Sequence, residues 1–300
     1  MSPIALPPDF QFSQGNLQDF VDCRRRFQLR HLLRLSWPAL PAEPASEFET
    51  QVRLGDAFHR LAHQHALGLG GELLARMAQA EDAGAGDAGR LQEWWQNYLQ
   101  YAKSTPLDGP SGLPGTRYSE VTLSAAAGAS RLVAKYDLIA LDPGRAAVII
   151  DWKTSRSRTP GAWLASRLQT RVYRYLLVRA GAALNGGRPV EPERVEMVYW
   201  FASFPDGPEH LPYDAVQFRA DGAYLAAMIA EIEGSGEDDF PLTSDVRQCR
   251  FCAYRSLCDR GVRAGDLLDA ADELLLPEAE GPIELDLEQV AEIDFRLGAF

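Results

Sequence analysis

Apolar positions along this 300-residue chain recur first at helical and then at strand spacing, and the change of period divides it. Residues 13–35 place Leu17, Phe20, Val21, Phe27, Leu32 and Leu35 at roughly helical intervals behind a capping Ser13, which predicts one or two helices. The Pro/Glu-rich 36–48 reads as a linker or surface loop. Over 50–67, Val52, Leu54, Phe58, Leu61 and Ala62 predict a helix that also bears His59, His63 and His65. A helical hairpin, 71–82 and 90–103, is split by the Gly/Ala/Asp run 83–89, and Trp94 and Trp95 read as core. After the Pro/Gly-rich 104–115 the period falls to two. Residues 117–127, 130–141 and 146–153 then predict a β-meander. A basic loop at 155–159 leads to a helix at 161–181. Strands at 194–203 and about 213–219 follow, then a helix at 221–233, a cysteine-bearing segment at 242–263 and a tail at 264–300. No internal repeat is visible. The order predicts an α/β sandwich around a mixed sheet, with a helical N-terminal arm.

Composition changes this picture in one respect. An apolar share of 46% suffices for a globular core. No run reaches the ~18 residues of a membrane span, and the first residues lack the basic and apolar regions of a signal peptide, so a soluble, cytoplasmic protein without a membrane partner is expected. The net charge of −12 argues at first against nucleic acid. Residues 264–300, however, hold eleven Asp/Glu and one Arg, which leaves 1–263 at −2. Within it, 131–180 carries ten Lys/Arg against three Asp. The acidity lies mostly in the tail, and a nucleic-acid partner stays open.

The basic region surrounds the candidate chemistry. Asp151 and Lys153, two residues apart on a strand, point to one face. If Pro143, Gly144 and Arg145 form a three-residue hairpin loop, Asp142 pairs with Ala146 and Asp137 lies opposite Asp151. Two carboxylates beside a lysine suit a divalent cation that binds oxygen ligands and phosphate. The bland alternative is a surface ion pair at a strand end.

Cys249, Cys252 and Cys258 form C-x₂-C-x₅-C, and Cys23 lies far upstream. In a cytoplasmic chain this points to metal or a cluster rather than disulfides. Spacing leaves zinc and iron–sulfur both open. Either would clasp the N-terminal arm to the C-terminal segment.

Taken together, these residues resemble the RecB-like branch of the PD-(D/E)xK nuclease superfamily over most of 10–263. Phe12-Ser13, Leu17, Phe20, Cys23 and Arg25-Arg26-Phe27 are similar to the family's N-terminal cluster-cysteine helix, although Arg24 stands where many relatives have proline. Leu54-Gly55 through Phe58-His59 is similar to its histidine motif. Asp137 matches the second acid, with Ala134 in place of a frequent glycine. Asp151 and Lys153 match the acid–x–lysine signature, and Gln169 and Tyr173 match Q-x-x-x-Y. Glu120 is a weaker candidate for a further carboxylate.

The resemblance implies a restriction-endonuclease-like fold in a single domain, 1–263. Its parts are the arm (10–35), a helical insertion (50–103), the catalytic core (117–234) and the cysteine segment (242–263). It implies a metal-dependent DNA nuclease, an exonuclease on single-stranded ends in repair, recombination or processing. Mg²⁺ or Mn²⁺ would sit on His59, Asp137, Asp151 and the Trp152 carbonyl, with Lys153, Gln169 and Tyr173 completing the catalytic set. A [4Fe–4S] cluster, alternatively zinc, would sit on Cys23, Cys249, Cys252 and Cys258. Arg156, Arg158, Arg167, Arg171 and Arg174 would line the DNA path. No G-x-x-x-x-G-K-[ST] motif is present, so unwinding would fall to a helicase or other repair partner. The rival is a catalytically silent DNA-binding or scaffold protein. The tail, with Leu285, Leu287, Val290 and Ile293 among its acids, would dock on the domain, mimic DNA or bind a partner.

Overall fold

The computed structural model describes residues 6–36, 45–85, 89–104, 115–250 and 252–262. The expectations for the tail, and for most of the two Pro-rich connections, lie outside these. A two-residue strand β1 (Gln11–Phe12) precedes helix α1 (Gln14–Asp22). Ser13 caps α1 reciprocally: its Oγ accepts from the Asn16 N–H at 3.3 Å, and Asn16 Oδ1 accepts from the Ser13 N–H at 2.9 Å. Cys23, in extended conformation, separates α1 from the short α2 (Arg24–Phe27), which runs on as one wide turn through Leu32.

Helices α3 (Ala45–Ala66), α4 (Gly71–Ala85) and α5 (Arg90–Ser104) form one layer. α3 begins at Ala45, inside the stretch expected to be a loop. Strands β2 (Thr116–Ala127), β3 (Ser130–Asp142) and β4 (Ala146–Lys153) are the expected meander, and Asp142 pairs with Ala146 as the loop count required. The helix expected over 161–181 is two, α6 (Gly161–Ser166) and α7 (Leu168–Ala180), because Arg167 is extended (ψ 145°) between them.

Strand β5 (Val195–Phe201) runs parallel to β4, and the short β6 (Glu209–Pro212) runs antiparallel to β5. The strand expected near 213–219 is therefore misplaced. Residues from Ala215 already belong to α8 (Ala215–Gly234), which Asp214 caps by accepting the Gln217 N–H at 2.7 Å. Gly222 lies inside α8, within the helix expected over 221–233. A Cβ there would stand 2.9 Å from the Tyr175 ring, so the glycine permits close packing on α7.

The mixed sheet has the order β1-β3-β4-β5-β6, with β2 also on β3, and helices cover both faces. On one face α1, α7 and α8 pack a core that includes Phe12, Tyr136, Ile149, Val172, Leu176 and Tyr199. On the other, α3–α5 pack Phe58, Trp94, Trp95, Tyr98, Trp152 and Trp200. Trp94 and Trp95 are fully buried there, as their helical context predicted. This is a restriction-endonuclease-like α/β fold.

Candidate active site and cysteine cavity

The site forms where β3 and β4 part. Their pairing ends at Leu138↔Ile150, while β4 stays paired with β5 as far as Lys153↔Phe201. Asp137 and Asp151 are the next residues on the two strands, just past the last pair. In place of a ladder bond, the Trp152 N–H donates to Asp137 Oδ2 at 2.8 Å. Asp137 Oδ1 accepts from His59 Nδ1 at 3.2 Å. Burial opposes charge on both groups, yet each favours the ion in the other. The imidazole is pushed up to about 9 against that burial, and the carboxyl of Asp137 is held below its ordinary value.

Asp151 and Lys153 are nearly inaccessible, at 4% and 8% exposure, which excludes the surface ion-pair reading. Lys153 Nζ lies 2.7 Å from Asp151 Oδ2 and donates to Gln169 Oε1 at 3.0 Å, while Gln169 Nε2 donates to Asp151 Oδ1 at 2.8 Å. The three side chains close a ring. The helix start at Leu168 fixes Gln169 in the first turn of α7, directly over the end of β4. Tyr173, one turn on, packs its ring 4.7 Å from that of Tyr136 and accepts the Tyr136 hydroxyl on its carbonyl.

Sequence reasoning passed over Tyr199 and Thr170. Tyr199, paired with Asp151 across β4–β5, donates its hydroxyl to Gln169 Oε1 at 3.3 Å and shares a 2.7 Å bond with Thr170 Oγ1. Lys153 Nζ lies 5.2 Å above its ring. Nothing in the apolar run of β5 marks this tyrosine, because its role depends on the neighbouring strand.

Gly55 explains itself through the same region. Glycine inside a helix costs about 1 kcal/mol relative to alanine. Here a Cβ would stand 3.0 Å from Thr154 Oγ1, so the glycine lets α3 approach the exit of β4 and set His59 beside Asp137.

The arginines expected along the DNA path separate into two kinds. Arg174 is buried, 4% exposed, and donates to the Thr170 and Pro212 carbonyls; its guanidinium braces α7 and cannot line a strand, which corrects that expectation. Arg171 bonds Asp221 at 3.2 Å and lies over the Tyr224 ring, and Arg158 pairs with Glu209 at 2.7 Å. Arg167 lies over Trp163, and Arg156 reaches Gln51 Oε1 at 3.4 Å. Glu120 pairs with Lys135.

Among the described residues, no group of three or more His, Cys, Asp or Glu side chains is arranged to hold an ion as it stands. The acids are paired with His59 and Lys153 instead. It is also the Trp152 N–H, not its carbonyl, that the structure joins to Asp137. The donor chemistry nonetheless fits a hard divalent cation: two carboxylates and an imidazole around one strand opening.

The four cysteines come together from the two ends of the described chain. Cys23, Cys249, Cys252 and Cys258 line one cavity with Arg26, Tyr254 and Arg255, and all four are free thiols. Burial raises the Cys252 thiol above its ordinary value, and the neighbouring thiols Cys23 and Cys249 add to the rise. Four thiols suit zinc or iron–sulfur by their chemistry, but like the acids they are not arranged to hold an ion as they stand.

Residues 11–259 match the family model of the PD-(D/E)XK nuclease superfamily, more than four-fifths of the chain. The chain belongs to this superfamily. PD-(D/E)XK nucleases generally use divalent metal ions. Two solved structures are similar at a distance. SSO0001 is 14% identical, with 85% of this chain and 88% of that chain covered and a TM-score of 0.37. A candidate exonuclease from Eubacterium rectale is 9% identical, with 74% and 81% covered and a TM-score of 0.44. The family match, not these superpositions, carries the assignment. No curated protein matches the chain.

Proposed function

We propose that this PD-(D/E)XK nuclease is a RecB-like, metal-dependent deoxyribonuclease acting on single-stranded DNA ends in repair, recombination or processing. The observation that carries the reading is the closed ring of Asp151, Lys153 and Gln169 beside the Asp137–His59 pair, at the one place where β3 and β4 separate. Asp137, Asp151 and His59 would hold Mg²⁺ or Mn²⁺. Such an ion polarises a phosphoryl oxygen and lowers the pKa of an attacking water.

The protein's own contribution is to fix charge before substrate arrives. Gln169 presents its amide to Asp151 and its carbonyl to Lys153, so both side chains are oriented by one group. Lys153 offers a fixed ammonium to the negative charge that develops on the scissile phosphate. Arg156 and Arg158, on the loop after β4, would steer the strand by phosphate contacts. Cys23, Cys249, Cys252 and Cys258 would hold a [4Fe–4S] cluster that ties the arm to the C-terminal segment. A helicase would supply unwinding where ends are duplex.

The test uses anaerobically purified protein on end-labelled single- and double-stranded DNA, with Mg²⁺, Mn²⁺ or EDTA. Cleavage that needs the metal and is lost in Asp151→Ala is the expected result, with single-stranded ends degraded first. Equal cleavage by both proteins would assign the activity to a contaminant. DNA binding without cleavage by either would leave a silent binding protein. Brown colour with absorbance near ~400 nm distinguishes an iron–sulfur cluster from colourless zinc.

A further inference from the structure

Strands β2 and β3 share an irregularity that frames Asp137. Along β3, Leu132, Ala134 and Tyr136 face the α7 side, but beyond them Ile139 and Leu141 do, so the alternation slips by one at residue 137. Along β2, Val121, Leu123, Ala125 and Ala127 face that side, and so does Tyr118, a slip between 118 and 121. The paired positions omit Glu120 and Asp137, and Glu120 has φ +56°. A non-glycine residue in that region costs of order 1–3 kcal/mol and persists only where its surroundings hold it. The paired kink turns the Asp137 carboxylate to the strand edge, toward His59 and the Trp152 N–H.

The kink interrupts the ladder at Asp137, and its carbonyl is served by a side chain. Ser119 Oγ donates to the Asp137 carbonyl at 3.1 Å. A serine hydroxyl has one proton, so the 2.9 Å contact between Ser119 Oγ and His63 Nδ1 must be donated by His63. His63 lies one turn after His59 on α3. The helix therefore grips Asp137 twice, through its carboxylate by His59 and through its peptide by His63 and Ser119.

We propose that His63 and Ser119 are positioning residues that hold the kinked Asp137 peptide so that its carboxylate is aimed for metal binding. The proposal rests on Asp137 being a metal ligand, as read above. The test is calorimetric titration of the full chain with Mn²⁺, alongside thermal melting.

Asp137→Ala is expected to abolish the Mn²⁺ heat. Ser119→Ala and His63→Ala should each raise the Mn²⁺ Kd by roughly 10-fold or more, the usual effect of removing an outer partner of a ligand. The double variant should be no weaker than either single one, because the two act in series. Ser119→Thr, which keeps the hydroxyl, should restore binding. His63→Ala stands on its own if Ser119→Ala does not fold, since alanine is the best helix former. Wild-type Mn²⁺ affinity in both alanine variants overturns the proposal, even if their melting temperature falls. Wild-type affinity in Asp137→Ala instead removes the reading of Asp137 as a ligand, and this proposal with it.

Discussion

At the scale of single residues, the site is a set of side chains that have almost no freedom. Asp151 spends both oxygens on Lys153 and Gln169, and Gln169 spends its amide on one and its carbonyl on the other. Removing Gln169 leaves both charges in place but no longer aimed. Gln169→Ala is therefore expected to lower the rate of metal-dependent cleavage by about 10–100-fold, with the fold retained by circular dichroism. Arg174 makes the opposite case. Its buried guanidinium serves the Thr170 and Pro212 carbonyls, so Arg174→Ala, which leaves both without that donor, should cost about 1–3 kcal/mol in denaturant unfolding. The salt dependence of DNA binding should stay at its wild-type slope, whereas a residue on the DNA path would reduce it.

At the scale of elements, the arm is held by electrostatics as well as by packing. Phe12, Leu17, Phe20 and Phe27 enter the main core, and Phe27 stacks on Phe240 at 6.1 Å. Beneath them Asp19, 3% exposed, accepts from Arg26 at 2.7 Å and meets His31 at 2.8 Å. Burial raises the Asp19 carboxyl, but His31, Arg26 and Arg30 outweigh it, so the group is held below its ordinary 3.8. A depressed carboxyl contributes stability that is complete above the ordinary value and lost as pH falls through the folded one. The wild-type protein should thus lose melting temperature below about pH 4, and Asp19→Asn should show less of this acid loss. At neutral pH Asp19→Asn should already be destabilising, since Arg26 keeps only Asp22, at 2.8 Å, as its carboxylate partner.

Across the whole molecule, the cysteine cavity joins residues more than two hundred positions apart, and Tyr254 adds a hydroxyl bond to the Leu35 carbonyl at 2.8 Å. A group bound by all four thiols closes nearly the full described chain into one loop, which stabilises the folded state by mass action and by restricting the unfolded one. With the [4Fe–4S] cluster proposed above in place, Cys23→Ser should bleach the visible absorbance, lower the melting temperature and expose the arm to limited proteolysis. Asp151→Ala should change none of these three.

Much was legible in the chain itself, for reasons that lie in local physics. The Ser13 cap, the α4–α5 hairpin and the β2–β4 meander follow from capping chemistry and from periods of 3.6 and 2, which neighbours in sequence determine. The hairpin count paired Asp142 with Ala146, because loop length sets register. The acid–x–lysine pair and its neighbours pointed to the PD-(D/E)XK superfamily, which the family match bears out.

Tertiary structure decided the rest, where a residue's meaning lies in what packs against it. Nothing in the helical pattern of 221–233 marks Gly222, which lets α8 approach Tyr175 closely. Arg174 reads as a surface cation and is a buried brace. Tyr199 and His63 read as an ordinary strand and helix residue, yet one lies beneath Lys153 and the other donates toward Asp137. Sequence determined which groups this protein has and along which elements they run. Only packing across the sheet decided which of them meet, because those contacts join residues that no local pattern relates.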